Sequence, residues 1–284
     1  MREQPRVDEA AVRLLAEKYP FNPDVTGAAG TIGARQGRET GASVEIQDFR
    51  DYVPGDDPRR IDWMAFGRTE RLVVRLFREE VSPFFDILID TSASMALEDG
   101  RKGALVAEIC HYLYHSARSG GILARLFSAG EGIRRLEHPD QLQFGPSRSV
   151  LFTRPRVAMA GMRRAAVRMV ISDFMDPAEP SAVIRAAAAG CARLVVLQIL
   201  GPWEADPPTE GPVTLNNVET GGQRDVHINH RTLQQYNRRL QALEETVREE
   251  TLKCGGIPLK VVAESGLEEV LRAHFVPCDL VDMP

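Results

Sequence analysis

Apolar and polar positions follow two different rhythms along this chain, and the change falls near residue 80. Before it, residues 8–19 place Val12, Leu15 and Tyr19 on one helical face and predict a short helix. From Phe21 to Gly41 the chain is rich in Gly, Pro and Thr and reads as loop. Within the dense segment Glu45–Glu80, Pro54-Gly55 marks a turn and Arg71–Phe77 alternates as a strand does. Beyond residue 80 short apolar runs alternate with helical stretches. Phe84–Ile89 is an apolar run ending at Asp90, the signature of a buried parallel strand. Gly103–Ala117 follows as a helix whose apolar side carries Leu105, Val106, Ile109, Cys110 and Leu113. Gly121–Phe127 is the next strand, with Ile133–Leu136 as a short partner beside it. Met169–Ile171 is a third strand ending at Ser172-Asp173, Ser181–Ala189 a helix and Leu194–Leu200 a fourth strand. Pro202–Asp225 interrupts with Pro, Gly and Asn and predicts a loop bearing a small hairpin. Thr232–Leu252 is a long helix, Leu259–Val262 a fifth strand and Leu267–His274 a closing helix.

This alternation predicts an α/β fold, a doubly wound and mostly parallel sheet with helices on both faces. Ligands bind such sheets at the carboxyl ends of the strands, where Asp90 and Asp173 both fall. The expected division is an N-terminal part, 1–80, holding helix, loop and strand-bearing appendage. The sheet domain would be 81–284, with the hairpin insertion near 202–228.

Composition narrows the class. The 284 residues carry 35 Lys+Arg against 40 Asp+Glu, a formal charge of −5, so no global field draws the chain to nucleic acid or anionic lipid. Cys110, Cys191, Cys254 and Cys278 match no CxxC pattern and read as free thiols in a reducing compartment. The first residues lack a signal-peptide core, and no apolar run reaches the ~20 residues of a membrane helix, so a cytoplasmic chain without membrane insertion is expected.

The sharpest chemical feature is Asp90-Thr91-Ser92-Ala93-Ser94, directly after Ile87-Leu88-Ile89. Asp, Ser and Ser at i, i+2 and i+4 on a loop can converge into an all-oxygen cluster suited to a hard divalent cation. The same residues are also good helix N-caps, and spacing alone leaves both readings open. Further oxygens would have to come from Asp173, a hydroxyl loop, water or a partner's carboxylate.

Asp-x-Ser-x-Ser after an apolar strand resembles the metal-ion-dependent adhesion site of von Willebrand factor A domains. Residues 45–80 are more specific: Glu45-Ile46, Arg50-Asp51-Tyr52, Pro54-Gly55-Asp56-Asp57, Arg59, Ile61-Asp62-Trp63, Arg68-Thr69, Leu72, Val74 and Glu79-Glu80. That block is similar to the one preceding the A domain in the MoxR-associated family, domain-of-unknown-function family 58. The likeness resumes at Ile171-Ser172-Asp173-Phe174, at Leu215–Gly221 and from Tyr236 to Val262, and spans about residues 8–275. It implies a von Willebrand A / Rossmann-like domain that acts as a Mg²⁺-dependent protein-interaction module, with Mn²⁺ or Ca²⁺ as alternatives. It also implies a non-enzymatic adaptor of a MoxR-type AAA+ ATPase in chaperone-like remodelling or assembly. By the family pattern Asp90, Ser92 and Ser94 form the first metal loop and Asp173 the third. A client's carboxylate would fill the open coordination position. The second loop normally offers a Thr after Gly; here Gln143–Pro155 lacks that pattern, and Thr153, Ser149 and Ser147 are the candidates, Thr153 first. Smaller departures are Ser43 for Gly, Ile46 for Phe and Gly67 for Ala.

Two rival functions stay open. A metal-dependent phosphohydrolase on the same sheet would need an acid/base beside Asp90, but Ser92 stands where phosphotransferases carry a second carboxylate. A degenerate A domain would bind partners without metal.

Weaker signals have plainer readings. His111 and His115 stand at i, i+4 without the Glu of a metalloprotease, since position 112 is Tyr, and read as a surface or edge-of-core pair rather than a ligand pair. Gly100-Arg101-Lys102-Gly103 is not a phosphate-binding loop. Arg154, Arg156, Arg163, Arg164 and Arg168 read as a solvated helix face. The charges around Trp63 read as an ion-pair network holding the appendage.

Overall fold

The computed structural model describes residues 7–22, 44–53, 61–79, 84–96, 100–145, 148–164, 166–207, 211–216 and 222–283. The chain divides into two compact units, Met1–Gly30 with Pro83–Pro284, and Thr31–Ser82. The first helix, α1 (Glu9–Lys18), therefore belongs to the larger unit, whereas sequence grouped it with the appendage. It starts where the Asp8 side chain accepts from Ala11 N–H, and it buries Val12 and Ala16.

The smaller unit holds an antiparallel pair, β1 (Val44–Asp51) and β2 (Val73–Glu79), with α2 (Trp63–Thr69) between them. Asp62 opens α2 by accepting from Met64 and Ala65 N–H. Trp63 is exposed and meets Phe66 edge-on at 6.2 Å. The turn at Pro54-Gly55 and the charges Asp56, Asp57, Arg59 and Arg60 lie outside the described residues, as does most of the loop expected over 21–41.

The larger unit is a mixed α/β structure around a six-stranded, mostly parallel sheet. Its strands are β3 (Phe84–Asp90), β4 (Leu123–Ala129), β5 (Ile133–Leu136), β6 (Val167–Ser172), β7 (Arg193–Leu200) and β10 (Ile257–Val262). They lie in the order β10-β7-β6-β3-β4-β5, all parallel except the edge strand β5. A separate hairpin of β8 (Gly211–Asn216) and β9 (Gln223–Ile228) fills the insertion.

The helices between them are α3 (Arg101–Ser119), the short α4 (Val150–Thr153) and α5 (Pro155–Ala158), α6 (Pro180–Ala188), α7 (Pro202–Ala205), α8 (His230–Lys253) and α9 (Leu267–Val270). No described helix is long and apolar enough to cross a membrane. Alternate residues of the central strands feed two cores. Phe85, Ile87 and Ile89 join α1, α3 and α9 in one, and Leu88 joins α4, α6 and Val247 of α8 in the other. Both faces of β3 are thus buried, which is why its sequence is a continuous apolar run rather than an alternating one.

The chain runs from β3 outward to β4 and β5, then returns to the other side of β3 and proceeds outward through β6, β7 and β10. Winding therefore reverses between β3 and β6. At such a reversal the connections leave in opposite directions and open a crevice at the carboxyl ends of the two strands.

The arginine run is not one solvated helix face. Arg168 is buried in β6, and its guanidinium donates to the carbonyls of Ala187, Ala189 and Arg163. Arg163 lies over the ring of Phe84, 4.0 Å from its centroid.

Candidate functional site at the strand reversal

Asp90 is the last residue of β3 and Ser172 the last of β6, so adjacent strands deliver both to the crevice. The Asp90 side chain is pinned at both oxygens. Oδ1 accepts from Ser92 N–H at 3.0 Å, and Oδ2 accepts from Ser172 Oγ at 2.7 Å. The Ser92 and Ser94 hydroxyl oxygens lie 3.2 Å apart on the same loop. This loop is followed by a single 3₁₀ turn, Ala93–Ala96, and α3 begins only at Arg101. Asp90 and Ser92 consequently cap no α-helix, and three oxygen side chains are left facing one another.

Asp173 follows β6 in a turn held by three further contacts. Phe174 N–H donates to Ser172 Oγ, Met175 N–H to Asp173 Oδ1, and Gln198 Nε2 to the Asp173 carbonyl. Phe174 adopts φ 59, a left-handed conformation unusual for an aromatic residue. Its buried ring packs edge-on against Phe152. Packing and hydrogen bonds together hold a strained backbone, and the result is a fixed Asp173 carboxylate.

The second partner of Asp173 was not expected. Lys102, in the first turn of α3, is 1% exposed, and its Nζ lies 2.7 Å from Asp173 Oδ2. The same ammonium donates to both oxygens of Glu204, at 3.0 and 2.8 Å. Glu204 belongs to α7, just past the end of β7, and also accepts from Gly201 N–H. Burial by itself would lower the Lys102 pKa, but Asp173 and Glu204 outweigh it and hold it above the ordinary value. Burial raises the Glu204 pKa, against the pull of Lys102. Among the described residues no cation pairs with Asp90. Burial, followed by the negative charge of Asp173, pushes its pKa up to about 6.

Of the residues expected from sequence, the structure brings Asp90, Ser92 and Ser94 together and places Asp173 beside them. It does not bring Thr153, which is exposed at the end of α4 and whose hydroxyl makes no contact with the cluster among the described residues. Ser149 is buried, but its hydroxyl donates to the Ala129 carbonyl and caps α4. Ser147 lies outside the described residues. Sequence reading missed Ser172, Glu204 and above all Lys102. One local signal marked Lys102: a cation in the first turn of a helix opposes the helix dipole and needs a compensating anion.

The donor chemistry fits a hard divalent cation at the first loop. Asp90, Ser92 and Ser94 offer oxygen only, and among the described residues the crevice sets three carboxylates, two of them buried, against the Lys102 ammonium. On the Asp173 side one oxygen is already neutralised by Lys102, and only Oδ1 remains for other work.

Comparison with known proteins names a family but no activity. The family described as "Protein of unknown function DUF58" matches residues 48–141 and 153–246. The uncharacterized protein Rv1480 of Mycobacterium tuberculosis is 26% identical over 243 residues, covering 78% of this chain and 76% of that protein. The uncharacterized protein Mb1516 of Mycobacterium bovis shows the same figures. Among solved structures, a conserved hypothetical protein BatB from Bacteroides thetaiotaomicron is 15% identical, covering 67% of this chain and 96% of its own, with a TM-score of 0.33. An aerotolerance-related membrane protein from Bacteroides fragilis is 14% identical at the same coverage, with a TM-score of 0.34.

Proposed function

The chain belongs to the DUF58 family, and on that premise we propose that it is a divalent-cation-dependent protein-interaction module, not an enzyme, built on a von Willebrand A-like domain. The observation that carries the reading is the delivery of Asp90, Ser92 and Ser94, with Asp173 behind them, to the point where the sheet reverses its winding. A bound Mg²⁺ would supply an electrophilic position for a carboxylate of the partner. The chain's own residues do the rest. Ser172 and the Ser92 amide fix Asp90, Lys102 holds Asp173 in place, and β3 and β6 set their separation. Both Asp90 oxygens are tied down as acceptors, which suits a fixed ligand better than a nucleophile.

The partner we propose, from the family resemblance, is a MoxR-type AAA+ ATPase acting in chaperone-like remodelling, with an acidic client residue at the crevice. The four free cysteines fit a reducing, cytoplasmic setting for that pair. Binding of the full chain to such an ATPase tests this, using wild type and Asp90→Ala, each in Mg²⁺ and in EDTA. Binding by wild type in Mg²⁺ alone supports the reading. Equal binding under all four conditions removes the metal and keeps the adaptor. That second reading has its own support, since the Lys102 ammonium already sits on Asp173. Turnover of a phosphate ester that is lost in Asp90→Ala would overturn the non-enzymatic reading.

A further inference from the structure

Three of the six histidines converge on the far side of α3 from the crevice chemistry, at a place no part of the proposed function uses. His111 and His115 lie one turn apart on α3, and their ring centroids are 6.2 Å apart. His138, on the turn after β5, brings its ring centroid to 5.7 Å from His111 and 6.4 Å from His115. Glu9, the first residue of α1, completes the group, with Oε1 3.3 Å from His115 Nε2. One ligand atom each from Glu9, His115 and His138 lies within 4.8 Å of the others.

Two features separate this cluster from a chance meeting of surface side chains. First, His111 Nδ1 is buried with no hydrogen-bond partner among the described residues, and the buried His115 Nε2 makes no well-aligned hydrogen bond there, only the 3.3 Å contact with Glu9 Oε1. A buried nitrogen without a good hydrogen bond is unfavourable, and an imidazole nitrogen such as His115 Nε2 is relieved of that cost by donating its lone pair to a cation. Second, the neighbouring groups orient the rings. Asp140 reaches His138 Nδ1 at 2.9 Å and His111 Nε2 at 3.2 Å, the kind of carboxylate–histidine contact that fixes ring direction around metals. Arg13 donates to Glu9 Oε1 at 2.6 Å, so the oxygen that faces His115 is held in place by a second partner. Burial also lowers the pKa of both His111 and His115.

We propose that Glu9, His115 and His138 bind a borderline divalent transition metal of the Zn²⁺ class, with Asp140 and His111 positioning the ligands. Two imidazoles and a carboxylate suit Zn²⁺ and not Mg²⁺, so the site is chemically distinct from the all-oxygen crevice at Asp90. Zinc–nitrogen bonds of about 2.0–2.1 Å require the three ligand atoms to draw in from their present spacing by side-chain rotation. The side chains of His138 and Glu9 are 35% and 41% exposed, which leaves room for that movement and a path for the ion. Binding would clamp α1 and the β5 turn onto α3.

The test uses the full chain, stripped of metal with a chelator and titrated with Zn²⁺ by calorimetry in excess Mg²⁺. Asp90→Ala serves as the background that silences the oxygen site. One Zn²⁺ per chain is expected in wild type and in Asp90→Ala, with binding lost in His115→Ala and in His138→Gln. Asp140→Asn should weaken it by about tenfold or more. Co²⁺ in place of Zn²⁺ should give the intense visible bands of a tetrahedral ion in wild type and not in the two histidine variants. His138 lies on a partly exposed turn, so its variant keeps the test valid if His115→Ala fails to fold. Equal Zn²⁺ affinity in wild type and both histidine variants, or a Co²⁺ spectrum identical to that of the hydrated ion, would overturn the proposal.

Discussion

Lys102 carries the most weight of any single side chain in the crevice. It replaces solvent for the buried Asp173 carboxylate and the half-buried Glu204, and removing it takes away the cation between them. Breaking a buried pair costs about 3–5 kcal/mol, because the remaining charge keeps its desolvation penalty. Lys102→Met should therefore lower the unfolding free energy by about that amount in a urea titration. Adding Glu204→Gln in the same chain should recover part of the loss. Asp90 presents the opposite case. Its carboxylate is buried with hydrogen bonds but, among the described residues, no paired cation, and both burial and Asp173 disfavour its charge. Asp90→Asn should then make the chain more stable in EDTA at neutral pH, by about 1–3 kcal/mol, while abolishing any stabilisation by Mg²⁺. Thermal melts of both proteins in the two buffers decide it, and a less stable Asp90→Asn in EDTA would mean the carboxylate is already compensated.

At the scale of elements, Arg168 links a strand to a helix. From the middle of the sheet its guanidinium reaches the carbonyls of Ala187, the last but one residue of α6, and Ala189, its C-cap. That is a side-chain cap on a helix C-terminus, supplied from the neighbouring strand and favoured by the helix dipole. Arg168→Met should cost about 1.5–3 kcal/mol and speed amide exchange at the end of α6 more than elsewhere. The same residue shows what a sequence discloses and what it withholds. Strands β3, β6 and β7 and helices α3, α6 and α8 were legible, because their apolar periodicity is a local property of the chain. The hairpin at 211–228 was legible from its turn residues. Arg168 was not, since a run of arginines looks alike whether it faces water or carbonyls. In the crevice, Asp90, Ser92 and Ser94 could be read because they lie within five residues. Lys102 meets Asp173 across 71 residues and Glu204 across 102, and only the folded sheet sets those neighbours. Helix α2 and the short α4 and α5 escaped for a different reason: at seven and four residues they are too short to show a period.

At the scale of the whole larger unit, the two ends of the chain fasten each other. After α1 the chain passes Tyr19, whose carbonyl accepts from Tyr112 Oη at 2.5 Å inside the core. Phe21 then forms an antiparallel bridge with Val281, with Asn22 N–H donating to the Leu280 carbonyl and Asp282 N–H to that of Pro20. The Phe21 ring is buried 4.8 Å from Phe85 of β3, so the clasp is anchored on the central strand of the sheet. Phe21 thus does two jobs: it fills the core on the α3 face, and it keeps the chain's first helix and last residues in register. Phe21→Ala should cost about 3–5 kcal/mol by cavity formation alone. If the clasp is cooperative with the sheet, denaturation followed by fluorescence and by circular dichroism will give one coincident transition at a lower midpoint. If it is merely laid on the sheet, Phe21→Ala will instead release α1 and the C-terminal segment in an early, separate step. Amide exchange at Val12 and Leu280 would then become fast while that of β3 stays slow. The cooperative outcome is expected, because Tyr112, Phe21 and Phe85 belong to one continuous core.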